Sequence, residues 1–226
     1  MDVQNRPFRS RTRTGLLRCG VVAGPLFSSV FLVEGAARSD YHPLRHPISS
    51  LSLGPTGWTQ RANFLLTGGL YVAGAVGLWQ SRTQPGLDTR AGPILLGTVG
   101  IGLIGAGVFR CDPINGYPPG TADMSARTPA GHLHDGFSLP VFLCLPAAAV
   151  IYAHAASRAG DPTWVIGSLT AAVTQLAAFV AAGAGFSQEQ PALVSSAGAF
   201  QRASVIAGFG WLSAWCIHAL RIQRPV

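Results

Sequence analysis

The sequence predicts an all-α integral membrane protein, a bundle of six transmembrane helices with both termini in the cytoplasm and elaborated outer loops. Of the 226 residues, 48% are hydrophobic and only 11% are charged, whereas about a quarter of the residues of a typical soluble domain are charged. The apolar residues also fall into six runs, each long enough to cross a hydrocarbon core of about 30 Å.

Each apolar run is bounded by proline, glycine or charged residues, as the ends of helices are. The predicted spans are residues 16–33, 62–79, 92–109, 133–153, 164–186 and 199–220. Residues 16–220 therefore form one transmembrane domain. Residues 1–15 are predicted to be a basic cytoplasmic tail, and residues 221–226 a second cytoplasmic tail.

The distribution of basic residues predicts the orientation in the membrane. All 16 of them are arginine. With the N-terminus inside, about ten lie on the cytoplasmic side and about six outside, as the positive-inside rule requires. This charge fits an anionic membrane surface better than a nucleic acid, since no soluble basic module is present. We therefore expect a multi-pass protein of the plasma membrane with no nucleic-acid partner.

Small residues indicate how the predicted helices pack. The second span contains Gly68, Gly69, Gly74 and Gly77, and the third span is richer still in glycine. Because lipid gives helices no hydrophobic reason to associate, close backbone approach at small residues supplies much of the packing energy. These two spans are expected to pack tightly.

The first long outer connection, residues 34–61, contains two histidines four positions apart. On a helix His42 and His46 would form a pair of metal ligands, but Pro43 and Pro47 disfavour a regular helix there. We predict a rigid polar lid over the bundle; the alternative is an interfacial loop anchored to lipid headgroups. The apolar residues expected to reach into the bundle or the interface are Ile48, Leu51 and Leu53.

Asp112 follows the third span, at the start of the second long outer connection, residues 110–131. A carboxylate at the C-terminal end of a helix opposes the helix dipole, so a cation is expected to hold it. Arg110, Arg45 and Arg202 are the candidates. Asp112 is then either a catalytic acid or part of a structural clamp that closes the top of the bundle.

The fourth span carries a candidate pair of reactive side chains. Thr128 and Pro129 predict an N-cap followed by proline at the first helical position. His132 and Asp135 are three residues apart and share a helix face, an arrangement typical of a general base or a supported metal ligand. Asp135 lies about one turn inside the membrane helix and must face the interior or a wet cavity. The alternative is a structural hydrogen bond between helices, and His134 is expected to point nearly opposite.

Three further positions lie at the ends of the fourth and sixth spans. Arg202 lies in the first turn, where a cation opposes the dipole, so it should reach the interface or pair with Asp112, Asp135 or Glu189. His154 and His218, at the other end of the bundle, could bind haem, but capping of helix C-termini is the simpler explanation. No cofactor and no metal is assigned.

Four groups of residues together resemble a known family. They are Tyr41-His-Pro-Leu-Arg-His-Pro-Ile-Ser-Ser-Leu51 with Gly54-Pro-Thr-Gly-Trp58, Gly107-Val-Phe-Arg-Cys-Asp-Pro113 with Gly116-Tyr-Pro-Pro-Gly120, Gly131-His-Leu-His-Asp135, and Gln201-Arg202. This combination resembles the bacterial six-span family called domain of unknown function 998, across nearly the whole chain. The histidine-aspartate opening of a membrane helix is more distantly similar to the Frag, DRAM and Sfk membrane proteins. That second resemblance implies a lipid or isoprenoid ligand.

The expected site is a pocket at the outer leaflet that binds and transforms a lipid or isoprenoid-like substrate. The predicted catalytic residues are Asp135, His132, Asp112 and His46. The predicted substrate-binding residues are Tyr41, His42, Arg45, Asn63, Trp58, Tyr117 and Arg202. Asp135 and His132 would form an acid–base pair, or a protonated Asp135 would protonate an alkene or epoxide as in a membrane terpene cyclase.

Two other classes of function stay open on the sequence. The same residues could hold a lipid headgroup in a non-enzymatic lipid-binding or transport protein. A zinc-assisted hydrolase could use the histidines of the first connection together with those of the fourth span. These histidines are His42, His46, His132 and His134.

Overall fold

A computed structural model describes residues 6–222, with side chains from residue 11 onward, as an all-helical bundle. The α-helices are α1 Arg6–Ala37, α2 Gly57–Ser81, α3 Ala91–Val108, α4 Pro129–Arg158, α5 Pro162–Phe186, α6 Pro191–Val194 and α7 Ala197–Ile222. A short 3-10 helix, Ile48–Ser52, lies between α1 and α2. Six of the helices are long and apolar enough to cross a membrane, which confirms the predicted six-span fold class.

The helices extend beyond the predicted spans where polar residues continue them. Helix α1 begins at Arg6, inside the predicted basic tail, and its membrane-length segment is Arg11–Ala37. Helix α7 continues to Ile222, inside the second predicted tail. Hydropathy marks only the apolar part of a helix, so arginine-rich turns at its ends are missed. Residues 1–5 and 223–226 of the predicted tails lie outside the described residues.

The six long helices form a closed ring in chain order. Each packs on the next, from α1 to α5 and then α7, and α7 packs back on α1. Because successive helices cross in opposite directions, the connections 38–56, 109–128 and 187–196 share one end of the bundle, called here the loop face. The shorter connections, 82–90 and 159–161, lie at the opposite end. The two long polar connections therefore meet, as predicted.

Helices α2 and α3 approach most closely where two glycines face each other. A Cβ atom on Gly68 would lie 2.6 Å from the carbonyl oxygen of Gly100, and one on Gly100 would lie 2.7 Å from that of Gly68. The reciprocal fit confirms the prediction of close packing at small residues. Gly69, the next residue along α2, has open space at its Cβ position.

An aromatic cluster fills the interior of the ring. Phe27 of α1 packs against Phe31, Phe64 and Phe209, with ring centroids 5.3–5.7 Å apart. Tyr71 continues the cluster on Phe209, at 5.0 Å. Phe27, Phe64 and Phe209 also line a cavity that lies below the loop face, so the cluster forms part of the wall of the candidate site.

The contact between α2 and α3 gives a matched test of the fold. Gly68→Ala should lower the free energy of unfolding by about 1–3 kcal/mol, because the added methyl group overpacks the interface. Gly69→Ala is the control, since it replaces a helical glycine in open space and should be neutral or stabilising by up to about 1 kcal/mol. Thermal unfolding of the detergent-solubilised proteins measures both. Equal melting temperatures for the two variants would contradict the close approach.

Candidate functional site

Arg202 fastens the first loop-face connection to α7. Its guanidinium donates to the carbonyl oxygens of His46 at 3.0 Å and Gly198 at 2.9 Å, and to the hydroxyl of Tyr41. The Tyr41 hydroxyl in turn donates to the carbonyl oxygen of Pro47 at 2.9 Å. Burial raises the pKa of Tyr41 to about 12, although Arg202 acts in the opposite direction, so the phenol stays protonated as a donor.

These contacts correct the predicted partner of Arg202. The guanidinium binds loop carbonyls and a phenol, and among the described residues it forms no ion pair with Asp112, Asp135 or Glu189. It is also buried, with 7% of its surface exposed, so it does not extend to the interface. Its role is to hold the first connection in place.

The first loop-face connection reaches into the top of the bundle, as predicted for the lid. The backbone N–H of Ile48 donates to Oε1 of Gln201 at 2.7 Å, and the side chains of Ile48 and Leu51 are buried. Below them, the Cys111 thiol donates to the carbonyl oxygen of Ser49 at 3.2 Å. Burial raises the pKa of that thiol to about 11, which keeps it as an unreactive donor.

His46 is held in the lid as a neutral ring. The backbone N–H of His42 donates to Nδ1 of His46 at 3.0 Å, so the lone pair on that nitrogen is already used. Burial, together with the nearby charges of His42, Arg45 and Arg202, lowers the pKa of His46 to about 4. The ring of His46 packs on Tyr117 at 5.2 Å. These contacts give His46 a structural position within the lid.

The N-terminus of α4 holds Asp112, whereas the sequence predicted that an arginine would hold it. Its two carboxylate oxygens accept from the backbone N–H of Thr128 at 2.9 Å and from the Thr128 hydroxyl at 2.7 Å. Burial tends to raise the pKa of Asp112, but the two hydrogen bonds from Thr128 outweigh it, and the pKa lies below its ordinary value. The Thr128 hydroxyl also accepts from the backbone N–H of Gly131 at 3.0 Å, which confirms the predicted N-cap.

The two histidines of the α4 opening lie in different environments. His132 is exposed, and no hydrogen bond among residues 6–222 joins it to Asp135. Asp135 forms an ion pair with Arg127 instead. The predicted pair shares a helix face but is not assembled. His134 points inward instead, and its Nδ1 lies 2.9 Å from the carbonyl oxygen of Ala106.

Two cavities lie under and beside the lid. One, of about 250 Å³, lies inside the bundle and is lined mainly by phenylalanine and aliphatic side chains, with His134 and Ser138 on its wall. The other, of about 440 Å³, lies at the loop face and contains Asp112 and Arg127. Both are lined by the same three polar residues, Ser49, Asp135 and Gln201. An apolar chamber and a polar chamber therefore meet at these three side chains.

Of the predicted catalytic residues, the two aspartates line the chambers described above and the two histidines do not. Asp135 borders both chambers and Asp112 the polar one. His132 is exposed on α4 and His46 is buried in the lid, and neither lines a chamber.

None of the predicted substrate-binding residues lines either chamber. Arg45 pairs with Asp123 at 2.8 Å, and Trp58 is 68% exposed. Asn63 donates to the carbonyl oxygen of Phe27 at 3.1 Å, so it joins α2 to α1. The others belong to the lid and its support: Tyr41, His42, Tyr117 and Arg202.

Of the three residues that line the junction, Asp135 was predicted from the sequence as a site residue, whereas Ser49 and Gln201 were not. Ser49, Ser138 and Gln201 are uncharged and common, so residue type alone gives no signal for them. Gln201 was named only as part of the family motif. Arg127 lies at the end of the second connection, directly before the N-cap Thr128, and its side chain reaches Asp135.

Among the histidines considered for zinc, His42 and His46 lie together, with ring centroids 5.5 Å apart, whereas His132 is exposed and His134 is buried. His154 is exposed, whereas His218 packs against Trp164 at 4.5 Å and Trp215 at 5.3 Å. Within residues 6–222 there is no group of three or more histidine, cysteine, aspartate or glutamate side chains placed to hold a metal ion.

The capping arrangement at Asp112 gives a second matched test. A Cβ atom on Gly131 would lie 1.9 Å from a carboxylate oxygen of Asp112, so Gly131→Ala should displace that carboxylate and cost about 1–3 kcal/mol. Gly136→Ala, on the same helix in open space, should be neutral or slightly stabilising. Thermal unfolding compares the two variants. Similar melting temperatures would show that Asp112 is not held against the start of α4.

His46 predicts a loss of stability on mild acidification. Its folded pKa of about 4 lies below the ordinary value of 6.5, so the unfolded chain takes up the proton first as the pH falls. The contribution of His46 to the free energy of unfolding is fully present above about pH 6.5 and is lost as the pH falls from 6.5 to 4. The non-titrating His46→Asn keeps an acceptor for the His42 N–H and should show a shallower decline. Parallel melting curves of the two proteins against pH would contradict the assignment.

Comparison with known proteins identifies a family and gives no closer relative. No functionally curated protein and no solved structure matches the chain. A family model described as "Protein of unknown function (DUF998)" matches residues 21–218, a range that takes in both chambers, four of the six spans completely and most of the other two. The chain is therefore a member of the DUF998 family of integral membrane proteins.

Proposed function

We propose that this protein binds a lipid- or isoprenoid-like molecule, with its apolar part deep in the bundle cavity and its polar end directed toward the loop face. The observation that carries this proposal is the junction of the two chambers. The apolar chamber and the polar chamber share Ser49, Asp135 and Gln201. A molecule that extends through this junction must be apolar at one end and polar at the other.

The apolar chamber has a suitable size and lining for one hydrocarbon segment. Its volume of about 250 Å³ exceeds the ~150 Å³ of an engineered cavity that binds benzene. Phe142 and Phe179 stack at 4.3 Å on its wall. Such a space admits a single acyl or prenyl segment and is too small for a whole diacyl lipid.

The polar chamber can accommodate a headgroup beside groups that are already paired. Asp135 pairs with Arg127, and Asp112 accepts two hydrogen bonds from Thr128, so each charged side chain on the wall of this chamber has a partner. We place the loop face at the outer side of the plasma membrane, because the predicted cytoplasmic side carries the larger number of arginines. The ligand would then enter from the outer leaflet.

Binding has more support than chemistry on the bound molecule. A cyclase or isomerase of the acid–base type needs a proton donor or a base beside the apolar part of the substrate. Asp135 borders the apolar chamber, which favours this as a second candidate function, but its partner is Arg127 and the exposed His132 is not beside it. A zinc-assisted hydrolase has less support still, because the lone pair on Nδ1 of His46 accepts from a backbone N–H.

A cavity-filling substitution tests the proposed binding. Val205 lines the apolar chamber and is buried, so Val205→Phe should weaken binding of the lipid-like molecule by about fivefold or more, given overpacking costs of about 1–3 kcal/mol. Val173, with 68% of its surface exposed on α5, provides the control Val173→Phe. Native mass spectrometry and lipid extraction of the purified proteins measure the bound molecule.

The result has a clear interpretation only if both variants are folded. Thermal unfolding should therefore confirm a cooperative transition in each. Retention of the same bound molecule by Val205→Phe and by the unaltered protein would refute binding in this chamber. Loss from Val173→Phe as well would point to lipid bound on the outside of the bundle.

A further inference from the structure

We infer that the polar end of the ligand carries a hydroxyl group, and that this hydroxyl donates a hydrogen bond to Nε2 of His134. The inference rests on the proposed function and names the chemical class of the ligand, a neutral long-chain or isoprenoid alcohol. His134 is buried, with 2% of its surface exposed, and it lines the apolar chamber.

The tautomer of His134 follows from its two neighbours. Its Nδ1 lies 2.9 Å from the carbonyl oxygen of Ala106 and 3.1 Å from that of Phe109. Carbonyl oxygens only accept hydrogen bonds, so Nδ1 carries the hydrogen atom, and Nε2 of the neutral ring is an acceptor. None of the hydrogen bonds formed among residues 6–222 uses Nε2 of His134.

An unused acceptor on an apolar wall favours a ligand that can donate to it. A hydroxyl that enters the chamber loses its hydrogen bonds to water, and Nε2 of His134 offers it an acceptor there. Ser138 adds acceptor capacity nearby, because its hydroxyl hydrogen is donated to the carbonyl oxygen of His134 at 2.8 Å. Ser138 lines the chamber, and the lone pairs on its oxygen stay free to accept from a bound molecule.

Gln201 supplies the complementary donor at the junction. Its Oε1 accepts from the backbone N–H of Ile48 at 2.7 Å, which fixes the amide orientation and leaves the NH₂ group to donate. The polar wall of the chamber therefore offers acceptors on His134 and Ser138 and a donor on Gln201. A hydroxyl group both donates and accepts, so it fits this set.

Charged ligand groups fit the same wall poorly. A carboxylate or phosphate oxygen would meet the acceptors of His134 and Ser138 and the carboxylate of Asp135. An ammonium group would lose its hydration beside Asp135, whose charge is already paired with that of Arg127. A neutral alcohol avoids both penalties.

The test compares two isomeric probes that differ in one donor. 1-Decanol can donate to Nε2 of His134, whereas methyl nonyl ether has the same atoms and no O–H group. His134→Asn keeps an N–H donor for the carbonyls of Ala106 and Phe109 and lacks an acceptor at the Nε2 position. We expect the ratio of the ether Kd to the alcohol Kd to be about fivefold higher in the unaltered protein than in His134→Asn, as one neutral hydrogen bond requires.

The outcomes separate this inference from the proposed function. If both probes bind and the two ratios are equal, the hydroxyl assignment is wrong while binding in the chamber stands. If neither probe binds the unaltered protein, and Val205→Phe also keeps whatever molecule copurifies, the proposed function and the inference both fail. Loss of the alcohol preference in His134→Asn, with ether binding unchanged, supports both.

A measurement on the unaltered protein covers the case in which His134→Asn does not fold. With ¹⁵N-labelled histidine rings, one acceptor-type Nε2 resonance should move upfield on addition of 1-decanol and stay in place with methyl nonyl ether. The exposed His132, His154 and His42 should respond equally to both probes. No differential shift would overturn the inference.

Discussion

The buried guanidinium of Arg202 joins the first loop-face connection to the last membrane helix, and the candidate site depends on that attachment. It donates to the carbonyl oxygens of His46 and Gly198 and to the hydroxyl of Tyr41. At the edge of a bilayer, backbone carbonyls in an irregular segment need partners from the protein itself. By supplying them, Arg202 lets the segment around Ile48 enter the top of the bundle. The roof of the apolar chamber is therefore made of loop residues, and the chamber is covered on that side.

The second fixed point is the start of α4. The side chain and backbone of Thr128 cap the helix and hold Asp112, and Gly131 leaves room for that carboxylate. Because the first turn is fixed, the next turns project their side chains in defined directions. His134 meets the end of α3, and Ser138 faces the chamber one turn further on. The capped start of α4 therefore positions one side of the junction between the two chambers, and the lid positions the other side.

The chamber that results is suited to an amphipathic neutral molecule. Its deep wall is lined by aromatic and aliphatic side chains. Its polar rim contains side chains with unused hydrogen-bonding capacity and the ion pair of Asp135 with Arg127. Strong charge is absent from the deep part, which agrees with the high cost of unpaired charge in a membrane interior. Affinity would come mainly from the hydrocarbon segment, and selection among ligands from a few hydrogen bonds at the rim.

The sequence by itself determined the features that depend on local patterns. Apolar length defined the six spans, Thr128 followed by Pro129 defined the cap of α4, and glycine content identified the tight contact of α2 with α3. Only the tertiary structure decided the long-range partners. Asp112 is held by Thr128 at the start of α4, and Asp135 pairs with Arg127, the residue that precedes this cap. A helix wheel placed His132 beside Asp135 correctly, but it could not determine which face points inward. That is decided by the packing of α4 on α3, where Gly105 receives the ring of Phe137 and His134 is brought under the carbonyl oxygens of Ala106 and Phe109.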